Sequence, residues 1–317
     1  MGAEAVLLVG RRPPPIGGVT IHVDRLCQSL QRLQVDHRTV DPRRDGLLRT
    51  AAALSRHGIS HVHLSHPAAM FACVGWARLC GRVSVLTVHG DLGRFSGWRR
   101  ALALAAVRLA SVPLLLNDLS WQVARRLNPC ARRLSAFIPE IDTPQLPDAL
   151  AAALLAHTQR GATLVASNAF NLAYDGHGRE IYGIFELIDW CRARAYLLVV
   201  SDPSGNYHRA AQAQLPAGQR AHVLFLCGPH SFGAVLARCT LFVRHTLTDG
   251  DSLSIHEALS MGKPVWATSV VPRPAGTLTY AALDEIDIDR NGAADYRAPE
   301  VVAELVRLYR TLGADQA

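Results

Sequence analysis

Phe242–Thr268 reads FVRHTLTDGDSLSIHEALSMGKPVWAT. Leu241-Phe242-Val243 is a short apolar run bounded by polar residues, too short for a helix, and predicts a buried strand. Thr248–Asp251 predicts a turn in which Gly250 is free to take backbone angles other residues avoid. Asp251 or Ser252 then stands where a helix N-cap is needed, and Leu253, Ile255, Ala258 and Leu259 supply one buried stripe. Gly262-Lys263-Pro264 stops that helix, and Val265-Trp266-Ala267 opens the next strand.

A strand that runs through a glycine-containing turn into a helix N-terminus is suited to anions. The first helical turn presents unpaired N–H groups and the positive end of the helix dipole. Asp249 precedes Glu257 by eight residues. That spacing puts Asp249 at the lip of the turn and Glu257 about a turn and a half along the helix, at ~1.5 Å rise per residue. A phosphate at the N–H groups would then have an attached sugar near Asp249 and a ribose near Glu257. Two acids eight apart are by themselves compatible with an ordinary strand–helix crossover. The ordered set Gly250, Ser252, Glu257-Ala258 and Gly262-Lys263-Pro264-Val265 narrows the reading.

The segment resembles the signature of the family-four retaining glycosyltransferases of GT-B fold: an acid, seven residues, Glu-Ala, then Gly-x-Pro-Val. The resemblance implies two Rossmann-like parallel-sheet domains facing a central cleft. It puts Asp249 on the donor sugar, one methylene shorter than the usual glutamate, and Glu257 on the nucleotide ribose. Gly250, Asp251, Ser252 and Leu253 would border the donor, with Arg244, and less directly Lys263, near its diphosphate. Asp249-Gly250-Asp251 also spells D-x-D, a metal motif of a different glycosyltransferase fold, but its place between a late strand and the Glu257 helix fits the GT-B context better. Neither a metal nor a cofactor is expected; the nucleotide diphosphate sugar is a co-substrate. Retention in this family is thought to need no protein nucleophile, with the leaving phosphate helping to deprotonate the acceptor.

The rest of the chain is consistent with such an enzyme. Its 317 residues suffice for two domains, and a 49% hydrophobic content supports real cores. No apolar stretch has the length of a membrane span, and Met1-Gly2-Ala3-Glu4 lacks the basic start of a signal peptide. Seven cysteines without a C-x-x-C pair fit reduced thiols in a cytoplasmic protein. The formal charge of +7 comes almost wholly from arginine, since Lys263 is the only lysine. Arginine suits phosphate-bearing partners, although a GC-rich genome gives the same composition. No basic cluster is interleaved with aromatics, so nucleic acid is not an expected partner.

Ala5–Gly10 predicts the first strand, with a helix from about Val19 carrying Ile21, Leu26 and Leu30. G-x-G-x-x-G is absent between them and three prolines fill the loop, which removes the strongest support for NAD binding. The resemblance instead places Gly17-Gly18 where backbone approaches the donor phosphates or acceptor. Strands at 60–64, 83–88, 112–116 and 134–138 alternate with helices at 47–57, 68–79, 98–110 and 119–127, the pattern of a parallel sheet. His89 follows one of these strands, where the family carries a polar group facing the reacting sugar; the alternative is a strand-end histidine bonded to a neighbouring loop. His61 and His63 alternate onto one face, but no cysteine or acid lies close enough in sequence to complete a metal site. Arg99, Arg100 and Arg108 surround the apolar body of 98–110, so contact with an anionic membrane surface at the inner face of the plasma membrane is a further expectation.

Pro139, Pro144 and Pro147 make a stiff linker, and the expected domains are an acceptor-binding 1–143 and a donor-binding 144–317. The last helix, 299–312, is expected to pack across the boundary. Strands at 162–166, 196–201 and 222–226 and helices at 182–191, 207–214 and 232–239 continue the alternation. Relatives follow the first of these strands with a loop whose Arg and Lys grip the diphosphate. Here 167–183 lacks that spacing, leaving Asn168, His177 or Arg179 as substitutes. The main expectation is sugar transfer to a saccharide or lipid-linked acceptor in surface-polysaccharide synthesis. The alternative is a non-catalytic nucleotide-sugar-binding protein of the same fold, and an epimerase would need further acid–base groups that are not placed.

Overall fold

The computed structural model describes residues 5–141, 145–159 and 161–314. The chain forms two compact units, Met1–Ile141 with Pro299–Ala317, and Asp142–Ala298. The boundary expected between 143 and 144 lies outside the described residues.

The first unit runs β1 (Val6–Gly10), α1 (Gly18–Arg32), β2 (His37–Val40), α2 (Pro42–Asp45), α3 (Leu47–Arg56), β3 (Ile59–His63), α4 (Pro67–Leu79) and β4 (Val83–Val88). It continues with α5 (Gly97–Leu109), β5 (Val112–Leu115), α6 (Asp118–Leu127) and β6 (Arg132–Arg133). Its six strands are parallel in the order β2-β1-β3-β4-β5-β6. β1 and β3 are buried end to end, as strands covered by helices on both faces must be. On one face Leu54, Met70, Val74, Ala103, Val107 and Ala124 bring α3 to α6 onto the sheet. On the other lie α1, through Val23, Leu26 and Leu30, and the C-terminal helix α13 (Val301–Ala314), through Val301, Leu305 and Tyr309. The C-terminal helix thus packs on α1 and β3 within the first unit.

The second unit holds α7 (Asp148–Gln159), β7 (Leu164–Asn168), α8 (Ile184–Ala193), β8 (Leu197–Asp202), α9 (Asn206–Gln214), α10 (Ala217–Arg220) and β9 (Val223–Cys227). Then follow α11 (Phe232–Arg238), β10 (Leu241–Arg244), α12 (Leu253–Ser260), β11 (Val265–Thr268) and β12 (Leu278–Tyr280). Its parallel order is β12-β11-β10-β7-β8-β9. α12 buries Ile255, Ala258 and Leu259 against the sheet, three of the four stripe residues expected of it, while Leu253 is only partly covered.

Three sequence expectations needed correction. The apolar run 134–138 is not a strand; the ladder is Arg132–Arg133 beside Leu114 and Leu115, and Phe137 and Ile138 are buried beyond its end. Edge strands β2 and β12 were not anticipated, because an edge strand with one wet side carries little apolar pattern. α7 was missed because its alanine-rich sequence has no polar face to mark a period, and Leu154 is its one buried residue. Among the described residues, no helix is long and apolar enough to cross a membrane.

In each sheet the strand order reverses beside the first strand. In the first unit β2 lies on one side of β1 and β3 on the other; in the second, β8 and β10 flank β7. Open parallel sheets bind ligands at the carboxyl ends of the strands where such a reversal occurs. Gly10 and His63 close β1 and β3, and Asn168 and Arg244 close β7 and β10.

Candidate functional site

In the second unit, strand β10 delivers Arg244 into a buried ionic group. Its Nε donates to Asp249 Oδ2 at 3.0 Å and its Nη2 to Oδ1 at 3.3 Å. Nη1 reaches across the reversal point to both oxygens of Asn168, the backbone O at 3.0 Å and Oδ1 at 3.1 Å. The guanidinium also lies over the Tyr182 ring, 5.1 Å from its centroid. Arg273 completes the group: Nη1 donates to Asp249 Oδ2 at 2.9 Å, while Nε and Nη2 hold the Thr268 carbonyl and hydroxyl at the end of β11. Gly250 N–H donates to Asp249 Oδ1 at 3.1 Å, so both carboxylate oxygens are satisfied.

Asp249 therefore does not stand at an exposed lip. Its side chain is 9% exposed, drawn inward because two guanidiniums need a counterion. Burial alone would lift the Asp249 carboxyl, but Arg244 beside it, with Arg273, takes it below the usual carboxylate range. The two guanidiniums diverge: burial lowers Arg273 despite Asp249, whereas Asp249 outweighs burial at Arg244 and raises it. Both stay protonated at neutral pH. Two cations and one anion leave the Arg244–Asp249–Arg273 group itself with one positive charge in excess, while the Asp251 carboxylate stands beside the start of α12.

The remaining motif residues shape that start. Ser252 occupies the N-cap position, but its hydroxyl meets Ser254 Oγ at 3.1 Å instead of a helix N–H. Asp251 Oδ1 lies 2.6 Å from His256 Nε2, whose Nδ1 is 2.8 Å from the Tyr296 hydroxyl. A carboxylate can only accept, so Nε2 carries the hydrogen and Nδ1 accepts from Tyr296. Both acids of the D-x-D string are thus in contact with cationic or N–H groups of the protein itself. Glu257 is half-buried on α12. Lys263 donates to the carbonyls of Ala237 and Cys239, away from the helix start, and is not placed for a diphosphate.

The altered loop 167–183 is tied up internally. Asp175 accepts from the Arg179 and His177 N–H groups and from the Arg179 side chain, which brings its carboxyl down to about 2. Glu180 accepts from the N–H groups of Ile184 and Phe185 at 2.8 and 3.1 Å, and from the Tyr207 hydroxyl, so the chain's own carboxylate sits on the N-terminus of α8. Neither His177 nor Arg179 joins the Arg244 group. Gly183, at φ +57°, has no room for a side chain because a Cβ would collide with His245. That histidine bridges Glu186 and the Tyr280 hydroxyl, each at 2.8 Å. A cavity of about 480 Å³ lies elsewhere, along β9, lined by His208, Gln212, Arg220 and Phe225, and contains no motif residue.

In the first unit, Gly17 is extended at the N-cap of α1, and Thr20 Oγ1 fastens the turn by accepting from Gly17 N–H and donating to the Pro15 carbonyl. His89 follows β4 and lies 3.0 Å, Nε2 to Nδ1, from His63. His61 is held by Tyr309 of α13 at 2.5 Å and by Thr87 at 2.7 Å. His22, on α1, approaches the same place, its ring centroid 5.0 Å from His63 and 4.9 Å from His89. His22 belongs to no motif in the sequence; its one signal is its place four residues before Leu26 and eight before Leu30 on the buried face. Arg273 carried no signal, because its loop between β11 and β12 has no period. Burial, reinforced by mutual repulsion, holds His61, His63 and His89 well below the ordinary imidazole value, so they are neutral.

No family model matches the chain, and no curated protein matches it in sequence. Solved structures match it in fold. HepE of Anabaena, solved with UDP-glucose, superposes with a TM-score of 0.64 at 13% identity, over 99% of this chain and 90% of that one. Sucrose-phosphate synthase of Thermosynechococcus elongatus gives 0.68 at 15%, over 98% and 100%. A glycosyltransferase of Rickettsia africae gives 0.68 at 9%, over 98% of both. The two parallel six-stranded sheets are therefore those of the GT-B fold. At such identities the likeness carries the fold and not the activity.

Proposed function

We propose that the chain transfers a sugar, with retention at the anomeric carbon, from a nucleoside diphosphate sugar to a hydroxyl of a saccharide or lipid-linked acceptor. The observation that carries this reading is the Arg244–Asp249–Arg273 group at the reversal point of the second sheet, with its one excess positive charge beside the N-terminus of α12. A diphosphate is the dianionic group such a field favours, through the helix N–H groups and the buried charge together. It needs no metal there. Asp249 acts as the positioning residue that keeps two guanidiniums together, Asn168 fixes Arg244 from β7, and the turn Gly250, Asp251, Ser252 and Leu253 borders the phosphates. Glu257 accepts from the ribose hydroxyls.

In the step itself the bond from the anomeric carbon to the leaving phosphate oxygen breaks, and the acceptor oxygen bonds that carbon on the same face. The acceptor proton goes to the leaving phosphate. Gly17-Gly18 admits backbone close to donor or acceptor, and His89 orients the sugar. That HepE was solved with UDP-glucose supports a nucleotide sugar as the donor class. Trp98, 59% exposed at the start of α5 beside Arg99 and Arg100, suits an acceptor presented at an anionic membrane surface. Work in surface-polysaccharide synthesis, in the cytoplasm or at the inner face of the membrane, belongs to the same reading.

One observation favours the alternative of a non-catalytic nucleotide-sugar binder: Glu180 occupies the α8 N-terminus, and loop 167–183 lends no cation. Thermal stabilisation by UDP-, GDP-, ADP- and dTDP-sugars without metal, beside a Glu257→Ala variant, separates the cases. One nucleotide should stabilise the wild type and not the variant, and turnover with lipid-linked acceptors should give a product of unchanged anomeric configuration. Binding without turnover moves the assignment to the binder; no shift with any nucleotide ends the donor-site reading.

A further inference from the structure

His22, His63 and His89 come from three different elements and converge at the carboxyl ends of β3 and β4, beside α1. Each offers one ring nitrogen, and these three atoms all lie within 4.8 Å of one another. Tetrahedral zinc with Zn–N bonds near 2.0–2.1 Å separates its nitrogens by about 3.4 Å, so small side-chain rotations close the set. We propose that these three histidines bind a divalent transition-metal ion, zinc foremost, leaving a fourth position for water or an oxygen ligand.

The surrounding hydrogen bonds fit a metal better than a purely structural cluster. His22 Nδ1 lies 2.6 Å from the carbonyl oxygen of Ala136. A carbonyl only accepts, so Nδ1 carries the hydrogen and Nε2 carries the lone pair, the arrangement that orients a histidine as a ligand. His63 Nδ1 and His89 Nε2 are 3.0 Å apart and can share only one hydrogen, whereas a metal takes a lone pair from each. His61 is excluded as a ligand by its two hydroxyl partners and instead packs against His63, ring centroids 3.9 Å apart and tilted by 40°, limiting that ring's motion. Neutral imidazoles are the form that binds metal, and an all-nitrogen set selects zinc, cobalt, nickel or copper over magnesium.

The inference does not depend on sugar transfer, because metal binding is read without donor or acceptor. A histidine bound to a metal is not a general base, so where both readings hold, His89 acts on a substrate only through the ion.

The test uses the full chain stripped with EDTA and titrated with cobalt(II), then zinc(II). One cobalt per chain should bind, with the intense visible band of a four-coordinate ion, and one equivalent of zinc should bleach it. His22→Ala, His63→Ala and His89→Ala should each weaken binding more than about 100-fold, beyond what loss of an outer hydrogen-bond partner costs. His157→Ala, a substitution in the second unit, should leave it unchanged. Near-ultraviolet circular dichroism checks that the variants fold. The wild-type spectrum decides even where one does not: a weak six-coordinate band overturns the proposal, as does cobalt binding that survives the three alanine variants or a stoichiometry that falls with His157→Ala.

Discussion

The two sheets reverse strand order at equivalent places yet equip those places with opposite polar chemistry. The first unit gathers His22, His61, His63 and His89, of which the last three are kept neutral by burial and by one another. The second buries fixed charges, two guanidiniums about one carboxylate. A parallel sheet thus sets where polar groups collect without setting what they are. Neutral imidazoles suit a metal or a neutral hydroxyl, and the net positive group suits a phosphate. The difference also makes the units fail for different reasons.

The largest expected effect is Asp249→Ala. It leaves Arg244 and Arg273 buried without a counterion and should lower stability by about 3–5 kcal/mol. Hydrogen exchange read by peptide mass spectrometry should place the loss in the second unit alone. A wild-type exchange pattern combined with lost nucleotide binding would make Asp249 a ligand and not a positioning residue.

Acid should strike the other unit first. His61, His63 and His89 have proton affinities below the ordinary 6.5, with Arg94 adding repulsion at His89. The unfolded chain then binds protons that the folded unit refuses. This contribution is whole above about pH 6.5 and is lost progressively as pH falls below it. Asp249 behaves in the opposite range: its lowered value gives stability that is present above the ordinary 3.8 and lost below it. Between pH 6.5 and 5, in EDTA, exchange protection should fall further in the first unit than in the second, where burial also lowers His230; equal loss would erase the distinction.

Smallest is Tyr309→Phe, which takes the hydroxyl from buried His61 Nδ1 and should cost about 1–2 kcal/mol. Exchange should quicken in 301–314 and β3, and not in the second unit. An unchanged melt would mean that His61 finds another partner.

The alternation of strand and helix was legible because parallel strands buried on both faces are short continuous apolar runs, as at Val6–Gly10 and Leu241–Arg244. The helix carrying Glu257 was legible from its cap position and its glycine stop. β2 and β12 were not, because edge strands need little apolar surface. Nor was the fate of the first motif acid: the spacing from Asp249 to Glu257 places both along the chain, but Asp249 is buried between Arg244 and Arg273, the latter twenty-four residues beyond it. His61 and His63 alternate onto one face, with no cysteine or acid close to them in sequence, and His22 and His89 reach His63 only through the packing of α1 and β4. Local pattern marked the buried strands and most of the helices, in their order along the chain. Tertiary structure alone decided which polar side chains share a buried site, since ion pairing and ligand geometry act between groups close in space whatever their separation along the chain.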